Sequence, residues 1–196
     1  MTRNEALAVA KPILFNTDMV RAIQDGTKTV TRRSIKPPYY IDDEDVCRKC
    51  GLAMRVGINA TNGMHYPDSL YHIGDILYVR ETWQQNYDGS YSYRAGHKFE
   101  KEGGWKPSIH MPKEAARIFL RVTDVRVERL QDITLNDMTK DFNICPEAIS
   151  AVGKEVLAKE AWNSTVKKSD LAKYGWAANP WVWVIEFERI EVTDNG

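Results

Sequence analysis

Residues 118–127 read IFLRVTDVRV, and their apolar positions change phase partway along. Ile118, Leu120 and Val122 alternate, as a strand with one buried side requires. The apolar positions then move by one, to Val125 and Val127. A slip of one residue turns every later side chain to the opposite face. A bulge or bend is therefore expected near Thr123 and Asp124. Such bends recur where a sheet curls into a barrel.

The remaining pattern agrees with a small, bent β structure. Residues 13–15 (ILF) read as a short buried strand, and Asn16 or Thr17 can cap a helix whose stripe is Met19, Val20 and Ile23. Asp25 and Gly26 end that helix, because glycine suits a left-handed C-cap. Further strands are expected over 28–35, 76–81, 91–94 and 181–187, the last buried on both sides or nearly so. Pro37 and Pro38 stop the first of these. Helices are expected over 135–142 and 147–162. Residues 105–112 (WKPSIHMP) read as an extended loop pinned by two prolines. The fold class is thus α+β: a small, strongly bent mixed β-barrel with flanking helices. One domain is expected over residues 12–190, after a loose leader at 1–11. Residues 38–72 break the pattern with an acidic run (Asp42, Asp43, Glu44, Asp45) and little periodicity, and read as an insertion or long loop.

Composition bounds the function classes. Lysine plus arginine and aspartate plus glutamate both number 27, giving a formal net charge of zero. That excludes a protein basic all over, but not a local basic groove. No window of eighteen apolar residues occurs, so no membrane partner is expected. The N-terminal stretch carries Glu5 and no long apolar run, unlike a secretory signal. Three cysteines make a poor disulfide framework, and the expected compartment is the cytoplasm.

Charge is nonetheless concentrated in one place. Residues 26–33 (GTKTVTRR) hold one lysine, three threonines and two arginines directly after a glycine. Such a run can grip an anion, or it can protect a solvated edge strand. Lys28 and Thr31 can also do chemistry. A threonine hydroxyl becomes a nucleophile when a base takes its proton, and lysine is that base when burial or nearby cations lower its pKa. In a regular strand residues three apart point to opposite faces, so the pair shares a site only if the chain bends between them. Arg32 and Arg33 would supply charge and hold phosphate or base edges.

Other groups are weaker candidates. Arg80, Glu81 and Trp83 follow a hydrophobic strand; the arginine can bond phosphate in two places and the tryptophan can stack on a base. Alternatively Arg80 is half of a structural pair at a sheet rim, while Glu81 suits a polar pocket. Ser108 and His110 sit in the proline-pinned loop, which would suit the wall of a nucleotide pocket. Cys47 and Cys50 have the spacing of half a zinc site; His65, His72 or Cys145 would have to complete it. Among the tryptophans, Trp181 and Trp183 share a strand face and read as core. No cofactor is called for.

Residues 26–33, together with Gly74, Asp75 and the run 79–83 (VRETW), resemble the ASCH domain family, over about residues 12–188 without most of 38–72. The larger ASCH-type proteins often found in phages and prophages are the most similar in style. The resemblance implies a PUA-like β-barrel related to RNA-binding modules. It further implies RNA or a modified nucleoside as partner. Some small ASCH proteins are amidohydrolases acting on N4-acetylcytidine, with a lysine three residues before a threonine, as Lys28 and Thr31 stand here. Their third catalytic residue, a glutamate, falls on Asp141, one methylene shorter; Glu81 is the other candidate for that role. Other members are proposed to bind RNA without catalysis, to cleave RNA, or to bind protein partners, here a host component.

Overall fold

The structure, a computed structural model, describes residues 1–35, 46–47, 52–53, 71–97 and 104–193. Its architecture is mixed α+β. A five-stranded mixed sheet runs in the order β1-β5-β8-β9-β2, formed by β1 (Lys11–Leu14), β2 (Val30–Ser34), β5 (Ile76–Arg80), β8 (Phe119–Arg129) and β9 (Trp181–Ile190). Two small two-stranded sheets accompany it: β3 (Val46–Cys47) with β4 (Leu52–Ala53), and β6 (Trp83–Gln85) with β7 (Tyr91–Tyr93). No closed barrel forms among the described residues; the large sheet is open, with β1 and β2 as its edges. No helix of the described residues is long and apolar enough to cross a membrane. Most of the expected insertion at 38–72, with its acidic run and Cys50, lies outside the described residues.

The described residues group into two compact units. The first comprises Met1–Thr29, Ile73–Thr123 and Phe187–Gly196; the second comprises Val30–His72 and Asp124–Glu186. The long strand β8 leaves the first unit between Thr123 and Asp124, where the apolar phase slips. Burial follows the slip: Leu120 and Val122 are buried, Arg121 and Thr123 exposed, and the next buried position is Val125.

In the first unit β1 pairs parallel with β5, and β5 pairs antiparallel with β8. Its core gathers Ala6, Ile76, Tyr78, Trp83, Met111 and Phe119. The expected loose leader is instead a helix, α1 (Arg3–Val9). A reciprocal cap starts it: Glu5 N donates to Thr2 Oγ1 at 3.2 Å, and Thr2 N donates to Glu5 Oε2 at 2.8 Å. Ala6 on its inner side is fully buried, which ties the segment down. The helix α2 (Thr17–Gln24) starts where Asn16 Oδ1 accepts from Met19 N at 2.9 Å, and Gly26 follows it at φ +75°.

In the second unit β2 pairs antiparallel with β9, Arg32 standing opposite Val184. Four consecutive residues of β9, from Val182 to Ile185, are buried, as its unbroken apolar run predicts. The helix α3 (Leu135–Phe142) is capped by Thr134 and ends at Asn143 with φ 56°. Residues expected as one helix over 147–162 form two, α4 (Pro146–Val152) and α5 (Lys154–Thr165). They part at Gly153, whose φ of 100° and ψ of 143° no other residue adopts comfortably. The short remaining helix is α6 (Leu171–Tyr174).

Gly153→Ala is expected to lower unfolding free energy by about 1–3 kcal/mol, because a Cβ is strained at that φ and ψ. Urea denaturation checks this. A variant as stable as the parent would mean that the break between α4 and α5 does not need glycine.

Candidate functional site

Alternation along β2 sorts its charges. Thr31 and Arg33 lie on one face and Arg32 on the other. The Arg32 side chain has no exposed surface. Its Nη1 donates to Asp141 Oδ2 at 3.0 Å, its Nε to Glu128 Oε1 at 2.9 Å, and its Nη2 to Glu128 Oε1 at 2.5 Å and Asp137 Oδ2 at 3.2 Å. Asp137 and Asp141 stand four apart on α3, so one helix face presents both carboxylates. Glu128 comes from β8. Burial by itself would lower the Arg32 pKa; the charges of Asp141 and Glu128 outweigh it, and the net movement is upward. Arg32 therefore does not hold phosphate or base edges as expected. Its side-chain donors bond instead to the carboxylates of Glu128, Asp137 and Asp141.

Glu128 and Asp137 were missed in the sequence. The signal for Asp137 was its place three residues after Thr134 and four before Asp141. A second arginine, Arg126, extends the network to Asp124 at 3.0 Å, to Glu128 at 3.5 Å and to Glu186.

On the other face Arg33 is half-buried and folds back along its own strand. Its Nη1 donates to Thr31 Oγ1 at 2.7 Å and to the Arg32 carbonyl at 2.9 Å. Burial lowers its pKa, opposed by the charges of Asp141 and Tyr71. Thr31 is 1% exposed. A hydroxyl that accepts from a guanidinium is oriented, and an alkoxide formed there would be stabilised. Asp141, expected to orient Lys28, is buried and gives its Oδ2 to Arg32.

The first unit holds Lys28. It precedes β2 rather than lying in it, so the alternation that set Lys28 against Thr31 does not apply to it. The amides of Thr27 and Lys28 both donate to the Ala22 carbonyl, at 2.9 and 3.0 Å, which wraps the chain over the end of α2 after Gly26. Lys28 is 2% exposed, with Nζ 5.7 Å from the centre of the Phe15 ring. A lysine is seldom enclosed to this degree.

Glu81, at the end of β5, is equally enclosed. Arg117 donates Nε to its Oε1 at 2.8 Å and Nη2 to its Oε2 at 2.9 Å. The Arg117 guanidinium lies 4.1 Å from the centre of the Tyr93 ring, and the Tyr93 hydroxyl donates to the Ala115 carbonyl at 2.6 Å. Burial pushes the Tyr93 hydroxyl up, against the charge of Arg117. The arginine–glutamate pair at this sheet end is thus Arg117 with Glu81, and Arg117 carried no sequence signal. Arg80 donates Nη2 to the Ile109 carbonyl. Trp83 faces the core, 5% exposed, packed on Tyr91 and the Lys106 ammonium, so its ring is no open stacking platform. Ser108 and His110 occupy a single 3₁₀ turn within the expected extended loop; Ser108 is half-buried and His110 exposed.

Among the described residues no group of three His, Cys, Asp or Glu is placed to hold a metal ion. Cys47 lies in β3, Cys50 lies outside the described residues, and Cys145 is an exposed free thiol. A groove of about 600 Å³ on the second unit is lined by Leu135, Pro146, Ile149 and Lys154, among others, and by none of the residues singled out above.

Arg32→Met should cost about 3–5 kcal/mol, because three carboxylates lose their buried cation. Denaturant unfolding measures it, and a loss below about 1 kcal/mol would mean that the carboxylates relax into water. Asp137 adds a pH dependence. Burial raises its pKa, but Arg32, the bonds from Thr134 and Arg126 together hold it below the ordinary carboxylate value. A lowered folded pKa stabilises above the unfolded value, about 3.9, and that contribution fades as pH falls through the folded one. Asp137→Asn is expected to flatten stability against pH below about 4; an unchanged slope would count against this assignment. Comparison with protein-family models, with curated proteins and with solved structures gives no match to this chain.

Proposed function

We propose that this protein is a cytoplasmic, PUA-like member of the ASCH type that binds RNA or a modified nucleoside and hydrolyses an amide on the base, as in N4-acetylcytidine. The observation that carries the reading is the enclosure of Lys28, which is 2% exposed with its Nζ 5.7 Å from the centre of the Phe15 ring. Lysine acts as a general base in many active sites once its amine is deprotonated. Supporting it is Thr31, whose hydroxyl oxygen accepts a hydrogen bond from the Arg33 guanidinium.

In the proposed reaction Thr31 is the nucleophile or the group that positions water; as nucleophile, its Oγ attacks the amide carbonyl while Lys28 takes the hydroxyl proton. The C–N bond breaks, Lys28 returns the proton to the departing amine, and water then cleaves the threonine ester to release the acid. Arg33 orients the hydroxyl. Glu81 or Asp141 would orient Lys28.

A second reading, binding without turnover, is favoured by one observation. Both candidate carboxylates already have arginine partners, Glu81 with Arg117 and Asp141 with Arg32. In that case the partner is RNA, or in the protein-interaction version a host component.

A screen of modified nucleosides for product release separates these. Lys28→Ala is expected to reduce turnover of the accepted nucleoside at least about 100-fold, the scale of a lost general base, with the circular dichroism spectrum kept. Full turnover in that variant would remove the catalytic claim and leave the binding one.

A further inference from the structure

Helices α3, α4 and α5 of the second unit converge on the groove of about 600 Å³. Helical spacing assembles its walls. Leu135, Asn136 and Thr139 share one face of α3, and Pro146, Ile149 and Ser150 share one face of α4. The other face of α3 carries Met138 in the core and Asp141 on Arg32. One helix thus serves the buried clamp with one face and the groove with the other. The start of α5 adds Lys154.

The lining is of two kinds. Ile149 is 8% exposed and belongs to the core, whereas Leu135 leaves a large apolar side chain 56% exposed. Lys154 is the one charged side chain of the lining. It is half-buried, and among the described residues no hydrogen bond or ion pair engages its ammonium. The acids close to these residues in sequence, Glu147 and Glu155, are exposed and do not line the groove. The Thr139 hydroxyl donates to the Leu135 carbonyl at 3.4 Å and so stays on the α3 wall. Small-molecule sites span about 300–1,000 Å³, with hydrocarbon walls and a few polar groups that fix orientation. This groove has that size and that make-up.

We propose that the groove binds a small amphipathic carboxylate. Its hydrocarbon body lies on Leu135, Pro146 and Ile149, and its carboxylate accepts from Lys154 Nζ. One cation matches one negative charge; a phosphate ester with two would keep one uncompensated. A partner helix docks through anchors at i, i+3, i+4 and i+7, more than three apolar side chains can seat. The inference goes beyond the proposed function and does not rest on it, since none of Lys28, Thr31, Glu81 and Asp141 lines the groove.

The test is an amide chemical-shift titration of the full chain with octanoate. Acetate keeps the charge without the body, octanol keeps the body without the charge, and octylammonium reverses the charge. Octanoate should shift the amides of residues 135–139 and 146–154, and acetate should bind at least about tenfold more weakly. Lys154→Met, which keeps the stem, should weaken octanoate about tenfold, the scale of one lost charge-assisted hydrogen bond, and leave octanol within about twofold. Ser150→Trp, at an exposed helix position, should block octanoate by filling the groove. Amides away from the groove report folding in each variant. Parent-like octanoate affinity in folded Lys154→Met overturns the proposal. So does acetate or octylammonium binding as tightly as octanoate, a shift pattern confined to other residues, or a parent that binds no octanoate. Should Lys154→Met unfold, Ser150→Trp decides, and parent-like affinity there overturns the proposal.

Discussion

A guanidinium with no exposed surface holds Glu128, Asp137 and Asp141 together in the second unit. Taking one cation and three carboxylates out of water is costly, and only close, directed hydrogen bonds offset that cost. The geometry meets the requirement: every Arg32 nitrogen finds a carboxylate oxygen within 3.2 Å. This ties α3 to β2 and to β8 by more than apolar contact. Beside it Val30, Ile133, Met138 and Trp162 fill the core of that unit. The arrangement admits little play, since moving α3 by one turn would strand a buried charge.

The same clamp decides what β2 can offer to a ligand. With Arg32 turned inward, the opposite face of the strand carries Thr31 and Arg33, and these two bond to each other. Charge that looks in the sequence like a continuous basic patch is thus divided between structure and site. Lys28 is withdrawn from solvent in the first unit, where Glu81 is also enclosed and engaged by Arg117. Buried ionisable groups cost stability unless partnered, and such groups gather where chemistry is done.

Much of the fold was legible along the chain. Met19, Val20 and Ile23 marked α2, and Thr134 marked the start of α3, because capping and helical period are local. The slip between Val122 and Val125 marked where β8 passes from one unit to the other. The break at Gly153 was missed, since the apolar pattern runs on through it, and α1 was missed because Thr2 and Glu5 were not seen as a cap. No closed barrel forms among the described residues; strand alternation predicts a curved sheet but not whether its edges meet. Among the candidate residues Lys28, Thr31, Glu81 and Asp141 were all singled out, and each is buried within its own unit. Their partners were harder to see. Arg117 reaches Glu81 from 36 positions away, and no local pattern links the two.

What the sequence alone determined is therefore short in range: helix starts and stops, the two-residue period of the strands, and the presence of lysine, threonine and arginines after Gly26. Which of those charges are hidden was decided only by the tertiary structure. Arg32 and Arg33 are neighbours of the same type, and strand geometry sends them to opposite faces without saying which face is filled with carboxylates. That answer came from residues 96, 105 and 109 positions further on. Hydrogen bonds to a buried charge are made with whatever the fold brings near, and proximity of that kind is a property of packing, not of sequence order.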